Sequence, residues 1–468
     1  MTLMHKPDRW MARLCGVLAM LALANCAANA PVLPSPAAGT VAVSPLPERP
    51  TEPALCPDAA SPACAEAAMR ESLEVLSEHG LDPSSYLAIG DARAAWLLAA
   101  THLSRGAVDM ATHSPRRQAD PALSAILDRL TPEDGPTDYR AALQRLAPTT
   151  PVYEAISAEL VRQNAAIADS EDAESAAERG ARILSLNASL ERLRHLSREA
   201  SPRQIYANIP GFEVIAYEGA EEASRHRAIF GQLGRRTPEF SDAIEFIVLN
   251  PWWEVPASIA RADKLPQFRR DPRAAARLGY QILDRAGQRV DPSTIDWTSV
   301  PASPFPYRLR QAPGPANALG QVKFMFPNPH DVYLHDTPDR ALFERTQRTF
   351  SSGCIRVENP IDLAEWTLEE TPGWDRARID AALATGLETR AVLAMSVPIH
   401  IVYLTAFPAA DHSIAYSPDI YGRNATLLAA LGAYAIADAP QPEPSVRLAT
   451  SGGTGAVTAE EPQSECQF

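Results

Sequence analysis

The chain has 468 residues, 46% of them apolar and 21% charged, with a formal net charge of −14. That length exceeds one ordinary hydrophobic core, so two or more domains are expected. The acidic balance, without any Lys/Arg-rich run, excludes nucleic acid as the main partner.

Residues 1–30 read as an export signal. Lys6, Arg9 and Arg13 form a basic start, and Leu14 to Ala24 an apolar stretch too short for a membrane span. Two endings compete. Ala28-Asn29-Ala30 has the small-x-small form but is followed by Pro31. Leu23-Ala24-Asn25-Cys26 resembles a lipoprotein signal, although Asn25 departs from the usual small residue. Both predict a periplasmic chain; the second adds a membrane lipid anchor at Cys26. Residues 31–55, rich in Pro, Ala and Ser, read as a flexible tether. Cys56 and Cys64 are spaced for a small disulfide loop in an oxidising compartment.

Residues 56–200 read as a helical scaffold domain. Met69, Leu73 and Leu76 share a face, with Gly80 as a stop. Thr150-Pro151 reads as an N-cap and first-turn proline ahead of the stripe Tyr153, Ile156 and Leu160. A longer helix carries Ile183, Leu186, Leu190 and Leu193, and its Arg182, Arg192 and Arg194 are expected on a solvated face. From 201 to 437 the period changes to short apolar or alternating runs: 212–217, 244–249, 322–326, 332–334 and 397–404. Residues 251–300 break that rhythm with Pro-Trp-Trp-Glu-Val-Pro and a charged, helix-prone stretch, an insertion or lid candidate. Residues 438–468 read as a disordered tail. The expected fold class is multidomain α+β, a helical scaffold followed by a mainly-β domain.

The chemistry concentrates in Tyr333-Leu334-His335-Asp336-Thr337-Pro338 and Phe350-Ser351-Ser352-Gly353-Cys354-Ile355-Arg356. A thiol becomes a strong nucleophile when an imidazole takes its proton and a confined turn exposes the sulfur. His335 and Cys354 are far apart in sequence, as partners joined by folding are. Cys354 is also the sole cysteine between positions 65 and 465, so catalysis is the best reason for it. No Cys/His cluster has zinc-ligand spacing, so no metal is expected, and no cofactor.

These two segments resemble the L,D-transpeptidases of the YkuD fold, in their large YcbB-like branch. Arg236-Thr237-Pro238, Asn250-Pro251-Trp252-Trp253-Glu254-Val255-Pro256, the run from Pro313 to Gly320, and Lys323-Phe324 extend the resemblance over roughly 200–425. Ser352 stands where many family members have His, as is usual in that branch. The branch often carries a peptidoglycan-binding module between its two parts, for which this chain leaves no room.

The resemblance implies a peptidoglycan stem-peptide substrate and a thioester acyl-enzyme. Cys354 is the implied nucleophile and His335 the base, oriented by a backbone carbonyl. Gly353 permits the sharp turn that brings backbone N–H groups near the oxyanion. Tyr333, two residues before His335 and so on the same strand face, donates to the oxyanion, lines the cleft or simply packs. Ser352 orients His335 or fits the turn, and Arg356 pairs with a substrate carboxylate or braces the loop. Trp253 is a lid or cleft-wall candidate against a packing reading. Asp336 is expected to be structural, His330 a surface residue and His400 a strand residue. The expected partners are donor and acceptor stem peptides and other cell-wall enzymes. The acyl-enzyme could be resolved by a second stem's amine, by water or by a protein lysine. A non-catalytic wall-binding scaffold and an ordinary cysteine peptidase are the competing classes.

Overall fold

The computed structural model describes residues 62–108, 110, 138–168, 173–197 and 200–432. The export signal with Cys26, the tether, Cys56 and the 438–468 tail lie outside the described residues. Cys64 is disulfide-bonded.

Among the described residues six helices precede the strands: α1 (Pro62–Ser72), α2 (Pro83–Leu87), α3 (Ala92–Arg105), α4 (Tyr139–Gln144), α5 (Pro151–Ala168) and α6 (Ala173–Leu193). A 3₁₀ turn, Leu73–His79, continues α1 and ends at Gly80. Thr150 Oγ1 accepts the Tyr153 N–H at 3.4 Å, so the threonine caps α5 ahead of its first-turn proline. Asp91 caps α3 in the same way, accepting the Arg93 and Ala94 N–H groups. The stripes of α5 and α6 are buried, as their 3.6-residue spacing predicts.

Arg192 and Arg194 correct the expectation of a solvated face: they are 5% and 2% exposed. Arg194 donates to Glu191 at 2.6 Å and to the His79 carbonyl at 2.7 Å. Arg192 donates to Asn424 Oδ1 at 2.7 Å and faces Glu239 at 3.5 Å. A buried guanidinium is tolerated when its charge and its N–H groups find partners. Glu191 lies one turn back on the same helix, but the His79 carbonyl, Asn424 and Glu239 come from distant segments, which helical periodicity cannot reveal. Arg182 stays half-buried, paired with Glu178 one turn back.

The strands are β1 (Arg203–Asn208), β2 (Glu213–Glu218), β3 (Glu221–Gly231), β4 (Phe240–Leu249), β5 (Trp253–Val255), β6 (Tyr280–Leu283), β7 (Arg289–Val290), β8 (Arg308–Gln311), β9 (Val322–Met325), β10 (Leu334–His335), β11 (Thr349–Ser351), β12 (Ile355–Val357), β13 (Thr389–Val402), β14 (Ala406–Pro408) and β15 (Ile414–Tyr416). The main sheet runs β11-β3-β12-β10-β9-β4-β13-β1-β2, and β2 pairs again with β3, closing the sheet on itself. Closure leaves few exposed edges to pair with other chains.

Strand alternation distributes three cores. One face of the closed sheet carries Ile205, Ala207, Ile247, Leu249, Val322, Phe324, Leu334, Ile355, Val357 and Ile399, packed with Leu363 and Leu368 of the helix Pro360–Leu368. The opposite face of β1 and β2 presents Tyr206, Ile215 and Tyr217 to the helical stripes, so helices and sheet share one continuous core. The opposite face of β4, β9 and β10 presents Phe246, Val248, Met325 and Tyr333 to the insertion.

The insertion differs from the helix-prone reading. It is built on a four-stranded antiparallel sheet, β5-β8-β6-β7, and reaches Gln311. Short helical segments, among them Ala260–Lys264 and Leu265–Arg270, lie between β5 and β6. These strands are too short to show alternation, and Trp253 and Tyr280 both pair with the distant Gln311. Phe268 and Trp297 fill the insertion core with ring centroids 4.8 Å apart, each burial contributing about 1.5–3 kcal/mol.

Candidate active site

The site follows from register. β10 and β12 are parallel neighbours, with Leu334 opposite Ile355 and His335 opposite Arg356. Leu334 and Ile355 point into the sheet core, so Tyr333, His335, Cys354 and Arg356 share the face beneath the insertion. Cys354 carries a thiol, 7% exposed, and belongs to one buried cluster with Tyr333, Trp253 and Tyr280.

His335 is buried, and its Nδ1 lies 2.5 Å from the Asp336 carbonyl oxygen. A carbonyl only accepts, so Nδ1 carries the proton and Nε2 keeps its lone pair. Burial pushes the imidazole down to about 3, with Arg356 and Lys323 opposing its charge further. The ring is therefore neutral at ordinary pH, with Nε2 unprotonated, although the same lowering weakens it as a base in this unliganded state. In this state Cys354 Sγ lies 3.8 Å from the Asp331 carbonyl oxygen, a weak contact that a substrate can displace.

The Asp336 carboxylate faces away from this chemistry. It accepts the Gln321 N–H at 2.8 Å and the Thr337 N–H at 2.7 Å and pairs with Arg340 at 2.6 Å. Gly320, at φ +59°, lies so close that a Cβ there would meet Asp336 Oδ2 at 2.2 Å. Asp336 is thus a loop brace whose backbone, not its side chain, orients the histidine.

The turn before Cys354 is pinned from several directions. Gly353 has φ +120°, a backbone conformation open to glycine. Its N–H donates to Ser351 Oγ at 3.1 Å and its carbonyl accepts Thr237 Oγ1 at 2.8 Å. The expected oxyanion donor at Gly353 is therefore engaged in this state. Ser352 does not reach His335: its Oγ accepts from Arg235 at 2.9 Å, and Arg235 pairs with Asp263 of the insertion at 2.6 Å. Tyr333 does share the His335 face, their rings 5.6 Å apart. Trp253 is buried, its ring 6.2 Å from that of Tyr280. It is part of the insertion core that covers Cys354 rather than an open wall. His330 is half-buried against Phe240 at 5.0 Å rather than on the surface. His400 is buried in β13 beside Ser241 Oγ at 2.8 Å.

Several residues escaped the sequence reading. Lys323 stands over the Tyr333 ring at 4.0 Å, and Lys264 over Trp253 and Tyr280 at 5.4 and 5.6 Å. Asn328 holds the loop before Tyr333 by accepting the His330 and Val332 N–H groups. Lys323 and Thr237 lie in segments that carried the family resemblance; Lys264 had no such signal. Among the described residues no cluster of His, Cys, Asp and Glu suits a metal ion.

Residues 202–375 match the family model for the YkuD L,D-transpeptidase catalytic domain. The chain contains a YkuD domain. A curated Haemophilus influenzae protein named "Putative L,D-transpeptidase" is 40% identical over 218 residues, or 47% of this chain and 44% of that one. The chain thus matches less than half the length of this relative. An L,D-transpeptidase from Mycobacterium smegmatis matches at 14% identity over 44% of this chain and 60% of that one, with a TM-score of 0.20. Mycobacterium tuberculosis L,D-transpeptidase 1 matches at 14% identity over 44% of this chain and 63% of its own, with a TM-score of 0.17. The assignment rests on the family model and the curated relative. The YkuD domain holds Cys354, His335 and the whole insertion; helices α1 to α6 lie outside the matched stretch.

Proposed function

We propose that this chain is a peptidoglycan L,D-transpeptidase that forms a thioester on Cys354. The observation that carries the reading is the shared face of β10 and β12. It holds a thiol and an imidazole whose Nδ1 is committed to a carbonyl, leaving Nε2 to accept the thiol proton. In the first half-reaction Cys354 Sγ gives that proton to His335 Nε2 and attacks the carbonyl before the terminal D-alanine. The tetrahedral oxyanion collapses, the C–N bond breaks, and the imidazolium returns the proton to the departing amine. In the second, the side-chain amine of another stem's diamino acid attacks the thioester. It loses a proton to His335, and the thiolate leaves.

Backbone N–H groups at the Gly353–Cys354 turn and the Tyr333 hydroxyl are the proposed oxyanion donors. Gly353 serves once the substrate draws its N–H away from Ser351. Ser352 holds the turn through Arg235, Arg356 lines the substrate side, and Trp253 belongs to the insertion over it. The insertion acts as a lid, keeping water from the thioester until the amine arrives. We place the protein in the periplasm, exported by residues 1–30. The disulfide-bonded Cys64 supports an oxidising compartment. A lipid anchor at Cys26 would add partition into detergent.

Digesting purified sacculi after incubation with the protein tests the activity. New cross-links between two diamino acids are expected. Tripeptide stems alone would indicate hydrolysis, and unchanged sacculi would remove the reading.

A further inference from the structure

Two cations beside Cys354 are poorly neutralised. Lys264, on the insertion, makes no hydrogen bond or ion pair with any described residue; its ammonium lies only over the rings of Trp253 and Tyr280. Arg356, on β12, has a buried Nε without a partner and only a loose approach to Asp339, 3.8 Å from Nη1. The other nearby carboxylates are committed. Asp263 pairs with Arg235 and Asp336 with Arg340. Burial holds the Lys264 amine below the usual lysine range; the neighbouring Asp263 and the more distant Asp339 offset part of this, and Arg356 adds to it, so the two cations sense each other.

Two like charges held together with only one loosely placed acid, Asp339, leave a seat that an incoming anion completes. We infer that Lys264 and Arg356 together seat a carboxylate of the donor stem, one cation supplied by the insertion and the other by the strand behind the nucleophile. The inference rests on the acyl-transfer reading above and adds its specificity. Arg356 follows Cys354 by two positions on one face, so a carboxylate held there lies beside the carbonyl under attack. Because Lys264 belongs to the insertion, the same carboxylate ties the insertion down over the forming thioester. A free carboxylate thus selects the donor and closes the site in one contact, while the acceptor amine, a cation in water, is disfavoured at that seat.

The test follows acylation of the full chain by intact-protein mass against donor concentration. The donors are a tetrapeptide stem with all carboxyls free and stems with each carboxyl amidated in turn. The unmodified protein is expected to need about tenfold more of one amidated stem, the loss expected for one charge-assisted contact, and that stem identifies the carboxylate. Lys264→Met and Arg356→Met should each raise the KM of the free stem by about tenfold and erase its advantage over the amidated one. Lys264→Arg should restore the advantage. Equal use of all stems by the unmodified protein overturns the inference and leaves acyl transfer standing. Variants that slow free and amidated stems alike make the two cations structural and overturn it too. No acylation by any stem overturns the acyl-transfer reading along with it. Should Lys264→Met fail to fold, the comparison of stems on the unmodified protein decides alone.

Discussion

At the residue scale, the His335 tautomer is set by a main-chain carbonyl. A side-chain carboxylate in that position is part of the catalytic unit, and its amide costs about 10⁴ in rate by fixing the wrong tautomer. Here the Asp336 carboxylate is spent on Gln321, Thr337 and Arg340. Asp336→Asn is therefore expected to keep activity within about tenfold, losing mainly the Arg340 pair and some loop stability. His335→Ala should remove most acyl transfer and slow alkylation of Cys354 by iodoacetamide at neutral pH, whereas His330→Ala should do neither. Rate measurements on the three variants check this ranking. A loss on Asp336→Asn as deep as on His335→Ala would restore a carboxylate triad.

At the element scale, the insertion is a small β-sheet whose hydrophobic underside is also the roof of the site. Phe268, Trp297 and Tyr280 are continuous with Met325, Tyr333 and Cys354. Replacing 257–295 with a short linker removes β6 and β7 and strips that roof. Products should then shift from cross-links toward hydrolysed tripeptide stems, read by chromatography of digested sacculi. An unchanged ratio would make the insertion structural only and take Trp253 off the list of substrate-side residues. The milder Trp297→Ala should cost about 3–5 kcal/mol in stability, because it empties a fully buried ring site.

The same element shows where the sequence was legible. The turn Ser351-Ser352-Gly353-Cys354 and the histidine on a nearby strand were readable, because a nucleophile needs a confined turn and a base, and both leave residue-level marks. β2, β9 and parts of β4 and β13 were readable from their apolar runs, as were the α5 and α6 stripes, whereas the eleven-residue β3, mixed in polarity, was not. The small sheet was not, since strands of two to four residues show no period and their partners lie far along the chain. Lys264 read as one charge among Arg261, Asp263 and Arg269, and only folding places it over two buried rings. Arg192 and Arg194 were misplaced because Asn424, Glu239 and the His79 carbonyl, which help bury them, lie far along the chain.

At the scale of the whole molecule, the helices are not a detachable appendage. Tyr206, Ile215, Tyr217 and Phe407 of the strands share a core with Leu186, Leu190 and Tyr153 of the helices. The buried histidines set how that fold responds to acid. His79 and His400 are pushed down to about 4, chiefly by burial, and His335 to about 3. A histidine depressed in the folded state takes its proton first in the unfolded chain, where its value is about 6.5. Its stabilisation is therefore complete above about pH 6.5 and is lost as pH falls toward the folded value. Between pH 6 and 5, above most carboxylate titrations, the three together should cost about 3–4 kcal/mol of stability. Urea denaturation at the two pH values checks this, and His400→Gln should remove about a third of the difference. A flat profile would mean that the rings are solvated.

All three scales converge on the sulfur of Cys354, so the most direct measurement is the mass of the protein during turnover. Mixed with a tetrapeptide donor and quenched in acid, the full chain should gain the mass of the tripeptide acyl group, and peptide mapping should place it on Cys354. The Cys354→Ala variant should gain nothing and form no cross-links. A tripeptide adduct on any other residue, or cross-links formed by purified Cys354→Ala protein, would contradict the account.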